Sequence, residues 1–270
     1  MTDDIRASAI LSANLRIDLS GRTALVTGGG GDGLGRGYCI AFADLGANVV
    51  IATRRAVTGQ PVVDEIRRRG GAASLVVTDV AERSQVEQAV SHAVDTYGAL
   101  DIVVHNALGG GLPKRYRLED VTPQWWDILS RTAVWGSYFC AKAAYPQLAA
   151  SQHGRFILIS SPSGIEGSHN IPIYSPVKAA QRSLVKSLAR EWGRDHITVN
   201  AIAPVAITGT HRKALAANPV YADRIQGRTA LGQLGDEKDI AAVVAWLASD
   251  SAAYVTGQTI VCDGGGFMGL

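Results

Sequence analysis

At 270 residues, with 47% hydrophobic side chains and 30 glycines, the chain is long enough to bury a sizeable core and reads as an α/β protein, not a disordered or fibrous one. A net charge of +2 excludes recruitment of nucleic acid by bulk electrostatics, and no run of about 18 apolar residues points to a membrane span. Cys39, Cys140 and Cys262 stand far apart with no Cys-x-x-Cys pair, so neither a disulfide framework nor a zinc site is expected, and the expected compartment is a reducing, cytoplasmic one.

Residues 1–20 carry Asp3 and Asp4 and lack a long apolar stretch, which speaks against a secretory signal; they read as an N-terminal extension to one domain over 21–270. Arg22 to Thr27 reads as a short buried strand. Gly28-Gly29-Gly30-Gly31-Asp32-Gly33-Leu34-Gly35 follows at once, then an apolar helix from Arg36 to Leu45 and a second strand from Asn48 to Ala52. Strand, glycine-rich turn, helix and strand in that order suit a dinucleotide, because glycines let the backbone approach a pyrophosphate and the helix N-terminus offers N–H groups and a positive dipole end.

Further strands are expected at Ala73 to Val77, Asp101 to Val104, Arg155 to Ser160, Ile197 to Ile202 and Gln258 to Val261, with helical patterns between most of them. This alternation predicts an α/β fold: a single-domain, Rossmann-type, doubly wound parallel sheet with helices on both faces. Ligands of such sheets bind beyond the carboxyl ends of the strands. Those positions hold the glycine loop, Thr53-Arg54, Asp79-Val80, Asn106-Ala107, Ser161 and Pro204. Two long helices, Thr122 to Ala150 and Ile173 to Trp192, read either as cover for the sheet or as a subunit contact; Trp125, Trp126 and Trp135 on the first read as core or interface anchors.

Tyr174 and Lys178 lie one helical turn apart at the start of the second long helix, with Ser161 ahead of them in the chain. A phenol donates protons near neutral pH only if a cation lowers its pKa from about 10, and a lysine at that spacing supplies the charge. A serine hydroxyl can polarise a carbonyl or alkoxide oxygen.

From about Gly21 to Gly266 the chain resembles the short-chain dehydrogenase/reductase family. The resemblance is carried by Thr27-Gly28 with Gly33-Leu34-Gly35, Asp79-Val80, Asn106-Ala107, Ser161, Tyr174 with Lys178, Asn200-Ala201-Ile202-Ala203-Pro204, and Tyr254-Val255-Thr256-Gly257-Gln258 leading to Asp263-Gly264-Gly265. It implies hydride transfer between a nicotinamide and a carbonyl or alcohol carbon. Tyr174 would move the proton, Lys178 would lower its pKa and hold the nicotinamide ribose, and Ser161 would hydrogen-bond the substrate oxygen. Gly28, Gly33 and Leu34 would hold the pyrophosphate, Asp79 and Val80 the adenine, Asn106 and Ala107 the ribose, and Pro204 with Thr208 or Thr210 the carboxamide. The resemblance also implies a homo-oligomer, a tetramer or dimer built through the two long helices and the C-terminal strand.

Three positions depart from the family pattern. Ala133 stands where many members keep an asparagine thought to hold a water near the lysine, and Thr132 or Ser130 are the candidates to stand in. The glycine loop carries one extra residue, with Asp32 read as a cap on the following helix. Val205 follows Pro204 where a glycine is usual.

The second strand ends in Ala52-Thr53-Arg54-Arg55, with no acidic residue to bind ribose hydroxyls, so NADP(H) is favoured over NAD(H), with Arg54 reading the 2′-phosphate. The substrate is expected to be a small-molecule ketone or secondary alcohol, a 3-oxoacyl thioester among them. Its pocket would be walled by the loop after Asn106, the stretch from Ser161 to Tyr174, where Glu166 and His169 read as surface or substrate-facing residues, and a lid from Val205 to Arg228 carrying His211, Arg212, Lys213 and Tyr221. Lys114, Arg115 and Arg117 read as a solvated basic loop or a site for an anionic substrate. The alternative function is a nicotinamide-nucleotide-binding sensor or scaffold with little turnover.

Overall fold

The computed structural model describes residues 17–110, 116–209, 227 and 229–268. The chain alternates strands β1 (Thr23–Thr27), β2 (Asn48–Thr53), β3 (Ala73–Val77), β4 (Ile102–His105), β5 (Arg155–Ile159) and β6 (Thr198–Pro204) with helices α1 (Leu34–Asp44), α2 (Ala56–Arg68), α3 (Arg83–Tyr97), α4 (Pro123–Leu129), α5 (Gly136–Ser151), α6 (Ser163–Glu166) and α7 (Tyr174–Trp192). Beyond β6 come the short strands β7 (Ala206–Ile207) and β8 (Gly235–Asp236), helix α8 (Glu237–Ala248) and strand β9 (Thr259–Cys262).

Seven strands form one sheet in the order β3-β2-β1-β4-β5-β6-β9, every neighbouring pair parallel. The all-buried apolar strands β1 and β4 lie centrally, whereas β3 and β9, whose side chains are mostly half-buried, form the edges. Period-two alternation divides the core between two faces. Ala24 and Val26 of β1 join Tyr38 and Phe42 of α1, Val62 and Ile66 of α2, and Ile240 and Val244 of α8. Leu25 of β1 points the other way, with Val103, Phe156 and Leu158, onto Val86 and Val90 of α3, Cys140 and Ala144 of α5, and Val185 and Leu188 of α7. The Rossmann-like doubly wound sheet expected from the strand and helix alternation is the one observed.

Chain direction across the sheet reverses between β1 and β4, which leaves a crevice beyond their carboxyl ends. Helix α4 opens on Pro123 behind Thr122, whose hydroxyl accepts the Trp125 N–H at 3.4 Å. The single helix expected from Thr122 to Ala150 is interrupted: Ser130–Trp135 is a turn of π-helix between α4 and α5. At its end Gly136 packs so closely that a Cβ there would lie 3.1 Å from both His105 Cε1 and Val80 Cγ2.

Of the expected N-terminal extension, residues 1–16 lie outside the described residues. Leu19 is buried in the α1-side core, and its N–H donates to the Leu45 carbonyl at 2.9 Å. No helix among the described residues is long and apolar enough to cross a membrane.

Candidate active site

The glycine-rich loop leaves β1 at Thr27 and turns at Gly28, whose φ of +66° lies in the left-handed region that glycine enters freely. Helix α1 starts at Leu34, two residues earlier than its apolar pattern predicts. Its first turn holds Gly35, where a Cβ would stand 2.2 Å from the Gly28 carbonyl oxygen and 2.7 Å from Asn106 Nδ2. Backbone thus meets backbone at the mouth of the crevice. Asn106 closes this contact from β4, its side-chain amide donating to the carbonyls of Thr27 at 3.3 Å and Gly28 at 3.1 Å.

Asp32 does not cap α1. The N-cap is Gly33, with no side-chain cap, because the extra loop residue sets Asp32 one position too early. Asp32 is exposed, and its carbonyl accepts the Gly209 N–H at 3.1 Å. The added length leans on α2: Gly31 N–H donates to the Thr58 carbonyl at 2.9 Å, and a Cβ on Gly30 would fall 2.9 Å from Thr58 backbone.

A buried hub ties the loop to the π turn. Thr27 Oγ1 lies 3.0 Å from His105 Nδ1 and accepts the N–H groups of Asn106 and Ala107, each at 3.1 Å. His105 Nε2 lies 3.2 Å from the Thr132 carbonyl. A carbonyl only accepts, so Nε2 carries the proton and Nδ1 accepts from the Thr27 hydroxyl. Burial holds the imidazole neutral, pushing its pKa down to about 3, with the Lys178 charge adding to the effect. Sequence reasoning missed His105; its signal was its place as the last residue of β4, directly before Asn106.

Tyr174 and Lys178 share one face of α7. Lys178 is buried, and its Nζ donates to the Ile159 carbonyl at 2.6 Å and to Gln181 Oε1 at 3.0 Å, 5.8 Å from the centre of the Tyr174 ring. Burial pushes the ammonium down to about 7. Burial also raises the Tyr174 phenol, and a hydrogen bond from Ser161 partly offsets this. The expected lowering of Tyr174 by Lys178 is therefore not what this geometry gives: Nζ is turned beneath the ring toward neutral acceptors, and desolvation dominates. Ser161 itself is buried at the end of β5 and accepts the Ser163 N–H at 3.2 Å.

Tyr174 and Lys178 open on a cavity of 310 Å³ lined also by Leu34, Asn106, Pro204 and Thr208, among others. Pro204 ends β6, and Val205 continues the ladder, donating its N–H to the Cys262 carbonyl at 3.0 Å. Val80 is buried against Gly136. Asp79 uses its side chain locally, its Oδ1 accepting the Ala81 N–H at 3.0 Å. Arg54 and Arg55 follow β2, exposed and without an ion pair among the described residues. Arg117 is paired with Glu119 at 2.9 Å, while Glu166 and His169 are exposed. Lys114, Arg115, Thr210, His211, Arg212, Lys213 and Tyr221 lie outside the described residues.

A tropinone reductase homolog of Arabidopsis thaliana is 34% identical over 267 residues, spanning 96% of this chain and 95% of that protein. A family model described as enoyl-(acyl carrier protein) reductase matches residues 29–266. The chain belongs to the short-chain dehydrogenase/reductase family. A 3-oxoacyl-(acyl-carrier-protein) reductase of Staphylococcus aureus is 34% identical over 248 residues, 92% of this chain and 98% of that one. Among solved structures, a gluconate 5-dehydrogenase from Burkholderia cenocepacia in complex with NADP and tartrate superposes with a TM-score of 0.85 at 33% identity, covering 94% of this chain and 98% of that one. The class of enzyme follows: an oxidoreductase of the short-chain dehydrogenase/reductase type.

Against the family pattern, the replacement of asparagine by Ala133 falls within the π turn, and Ala133 is fully buried there. Thr132 does not stand in for it. Its hydroxyl is occupied locally, donating to the Ile128 carbonyl at 2.8 Å and accepting the Gly109 N–H at 2.8 Å. The side chain that does reach Lys178 is Gln181, one turn further along α7, which sequence reasoning also missed.

Proposed function

We propose that this short-chain dehydrogenase/reductase interconverts a ketone and a secondary alcohol with NADP(H), Tyr174 serving as the acid and base. The observation that carries the reading is the convergence of Tyr174 and Lys178 on one cavity at the carboxyl ends of β4 to β6, beside the glycine loop, with Ser161 near enough to the phenol to lower its pKa against the effect of burial.

The residues present fit a nicotinamide dinucleotide. No side chain caps α1, there is no acidic residue in its first turn, and a Cβ at Gly33 would meet open space, so a pyrophosphate can approach the helix N-terminus. Arg54 at the end of β2 would hold the 2′-phosphate, a role supported by its freedom from other ion pairs and by the NADP in the gluconate 5-dehydrogenase structure. When bound, the nicotinamide supplies or takes the hydride. In carbonyl reduction Tyr174 gives its phenolic proton to the oxygen that becomes the hydroxyl, and in alcohol oxidation it takes that proton back. Ser161 holds the same oxygen, and Lys178 keeps positive charge beneath the phenol. The names of the relatives include reductases and a dehydrogenase, which supports a carbonyl or alcohol substrate, and a 3-oxoacyl thioester is one such ketone. Exposed Trp135, Tyr138 and Tyr145 on the π turn and α5 support assembly into a homo-oligomer through that face.

Tryptophan fluorescence titrated with NADPH and NADH in parallel, followed by a panel of ketones, tests the reading. NADPH should bind more tightly, and Tyr174→Phe should lose nearly all turnover while retaining NADPH binding. Failure to bind either nucleotide, or a Tyr174→Phe protein with unchanged turnover, overturns it in favour of a sensor or scaffold.

A further inference from the structure

Lysine at position 178 is one of the most buried charges in the molecule, and no carboxylate pairs with it among the described residues. A buried ammonium without a counter-ion depends on dipoles for its stability. The groups facing Nζ are the Ile159 carbonyl from β5, the Tyr174 ring from its own helix, His105 from β4 and the Gln181 side chain. His105 is neutral and contributes no negative charge.

Gln181 is itself buried, and both ends of its amide are engaged. Oε1 accepts from Lys178 Nζ at 3.0 Å, and Nε2 donates to the Ala133 carbonyl at 3.3 Å and to Ser137 Oγ at 3.0 Å. Ser137 in turn donates to the same Ala133 carbonyl at 2.5 Å. The orientation of the amide is fixed by chemistry. An ammonium only donates and a carbonyl only accepts, so reversing the amide would oppose donor to donor at one end and acceptor to acceptor at the other. One side chain thus spans from the lysine to the π turn, at the residue where the expected asparagine is missing. Alanine at 133 leaves room for it, and the i, i+3 spacing on α7 puts Gln181 on the Lys178 face.

We propose that Gln181 is a positioning residue for the Tyr174 and Lys178 pair: its amide links the Lys178 ammonium to the Ala133 carbonyl of the π turn, fixing where Nζ points and favouring its charged form. Of the three ammonium hydrogens, two are held by Ile159 and Gln181, which leaves the third for the cavity beneath Tyr174. Gln181 touches no reacting atom and acts only through Lys178.

The consequence for catalysis rests on the function proposed above, but the test does not. Protein carrying lysine enriched in 13C at Cε is titrated by NMR without any ligand, with the Lys178 resonance assigned by its loss in Lys178→Arg. Gln181→Met keeps the length of the side chain and removes all three hydrogen bonds. It is expected to lower the Lys178 midpoint by about one pH unit, the effect of losing one charge-assisted hydrogen bond. Gln181→Glu restores an acceptor with charge and is expected to move the midpoint above the wild-type value. A Gln181→Met midpoint equal to wild type in a folded protein overturns the proposal. Should Gln181→Met fail to fold, Gln181→Glu decides alone, and an unmoved or lowered midpoint there overturns it equally. Failure of NADPH to bind would sink the proposed function while leaving these midpoints readable.

Discussion

The Thr27 hydroxyl donates a hydrogen bond to His105 Nδ1 across 3.0 Å while accepting the backbone N–H groups of Asn106 and Ala107. One buried hydroxyl at the end of β1 therefore fixes the end of β4 and, through it, the floor of the nucleotide crevice. Thr27→Val has nearly the same shape and leaves these partners without the oxygen. Unsatisfied buried polar groups cost about 1–3 kcal/mol each, so we expect a loss of about 3 kcal/mol in urea unfolding, with Thr27→Ser retaining most of the wild-type value.

His105 makes the protein acid-sensitive. Its folded pKa is pushed down to about 3 by burial, against an unfolded value of about 6.5. Between those limits the unfolded chain binds a proton that the folded chain excludes, so stability is complete above the unfolded pKa and falls as pH drops below it. His105→Gln keeps a donor and an acceptor but does not titrate. Between pH 6 and pH 4 the wild type should lose about 1.4 kcal/mol per pH unit more than His105→Gln, measured by denaturant unfolding at each pH. Parallel slopes would contradict this.

The parallel, doubly wound sheet was legible because it follows from strand runs such as Thr23–Thr27 and Ile102–His105 separated by helical patterns, and handedness rules leave few alternatives. Ser161, Tyr174 and Lys178 were legible for a different reason: their types and spacing form a motif that local helix geometry preserves. What escaped were contacts across the fold. His105 reads in sequence as one more residue of a strand, and only the packing of Gly136 against it shows that it reaches the π turn. Asp32 sits before a helix, as caps do, yet loop length decides which residue occupies the N-cap. The direction of the Tyr174 shift depends on where Nζ turns, and spacing along one helix says nothing of rotamers.

Gly35 is the tightest point of the loop. Its backbone is helical, so alanine would be acceptable there on propensity alone. Nevertheless a Cβ would lie 2.2 Å from the Gly28 carbonyl oxygen, a backbone atom that cannot rotate away. Gly35→Ala is therefore expected to push α1 off β1, lowering stability by about 2 kcal/mol or more through overpacking and weakening NADPH binding. Gly33→Ala, where the space is open, should leave stability within about 1 kcal/mol of wild type. Thermal melts of the two variants check the contrast, and equal losses would show that the loop yields.

The proposed preference for NADP(H) rests on Arg54. It stands immediately past β2, whose end lies beside the glycine loop through the Thr27 and Ala52 register, and neither it nor Arg55 is held by a carboxylate among the described residues. A guanidinium facing a phosphate forms charge-assisted hydrogen bonds worth about 1.5–3 kcal/mol. Arg54→Ala should accordingly weaken NADPH about 10- to 100-fold while NADH changes by no more than about twofold, since NADH carries no 2′-phosphate for the side chain to meet. The wild-type preference should also shrink as salt rises, because exposed charges are screened over about 8 Å at physiological ionic strength. Fluorescence titration of both nucleotides at low and high salt gives all four affinities. If Arg54→Ala weakens the two nucleotides equally, Arg54 is a general anion contact and the preference lies elsewhere, with Arg54→Ala/Arg55→Ala the variant that separates a shared role from none.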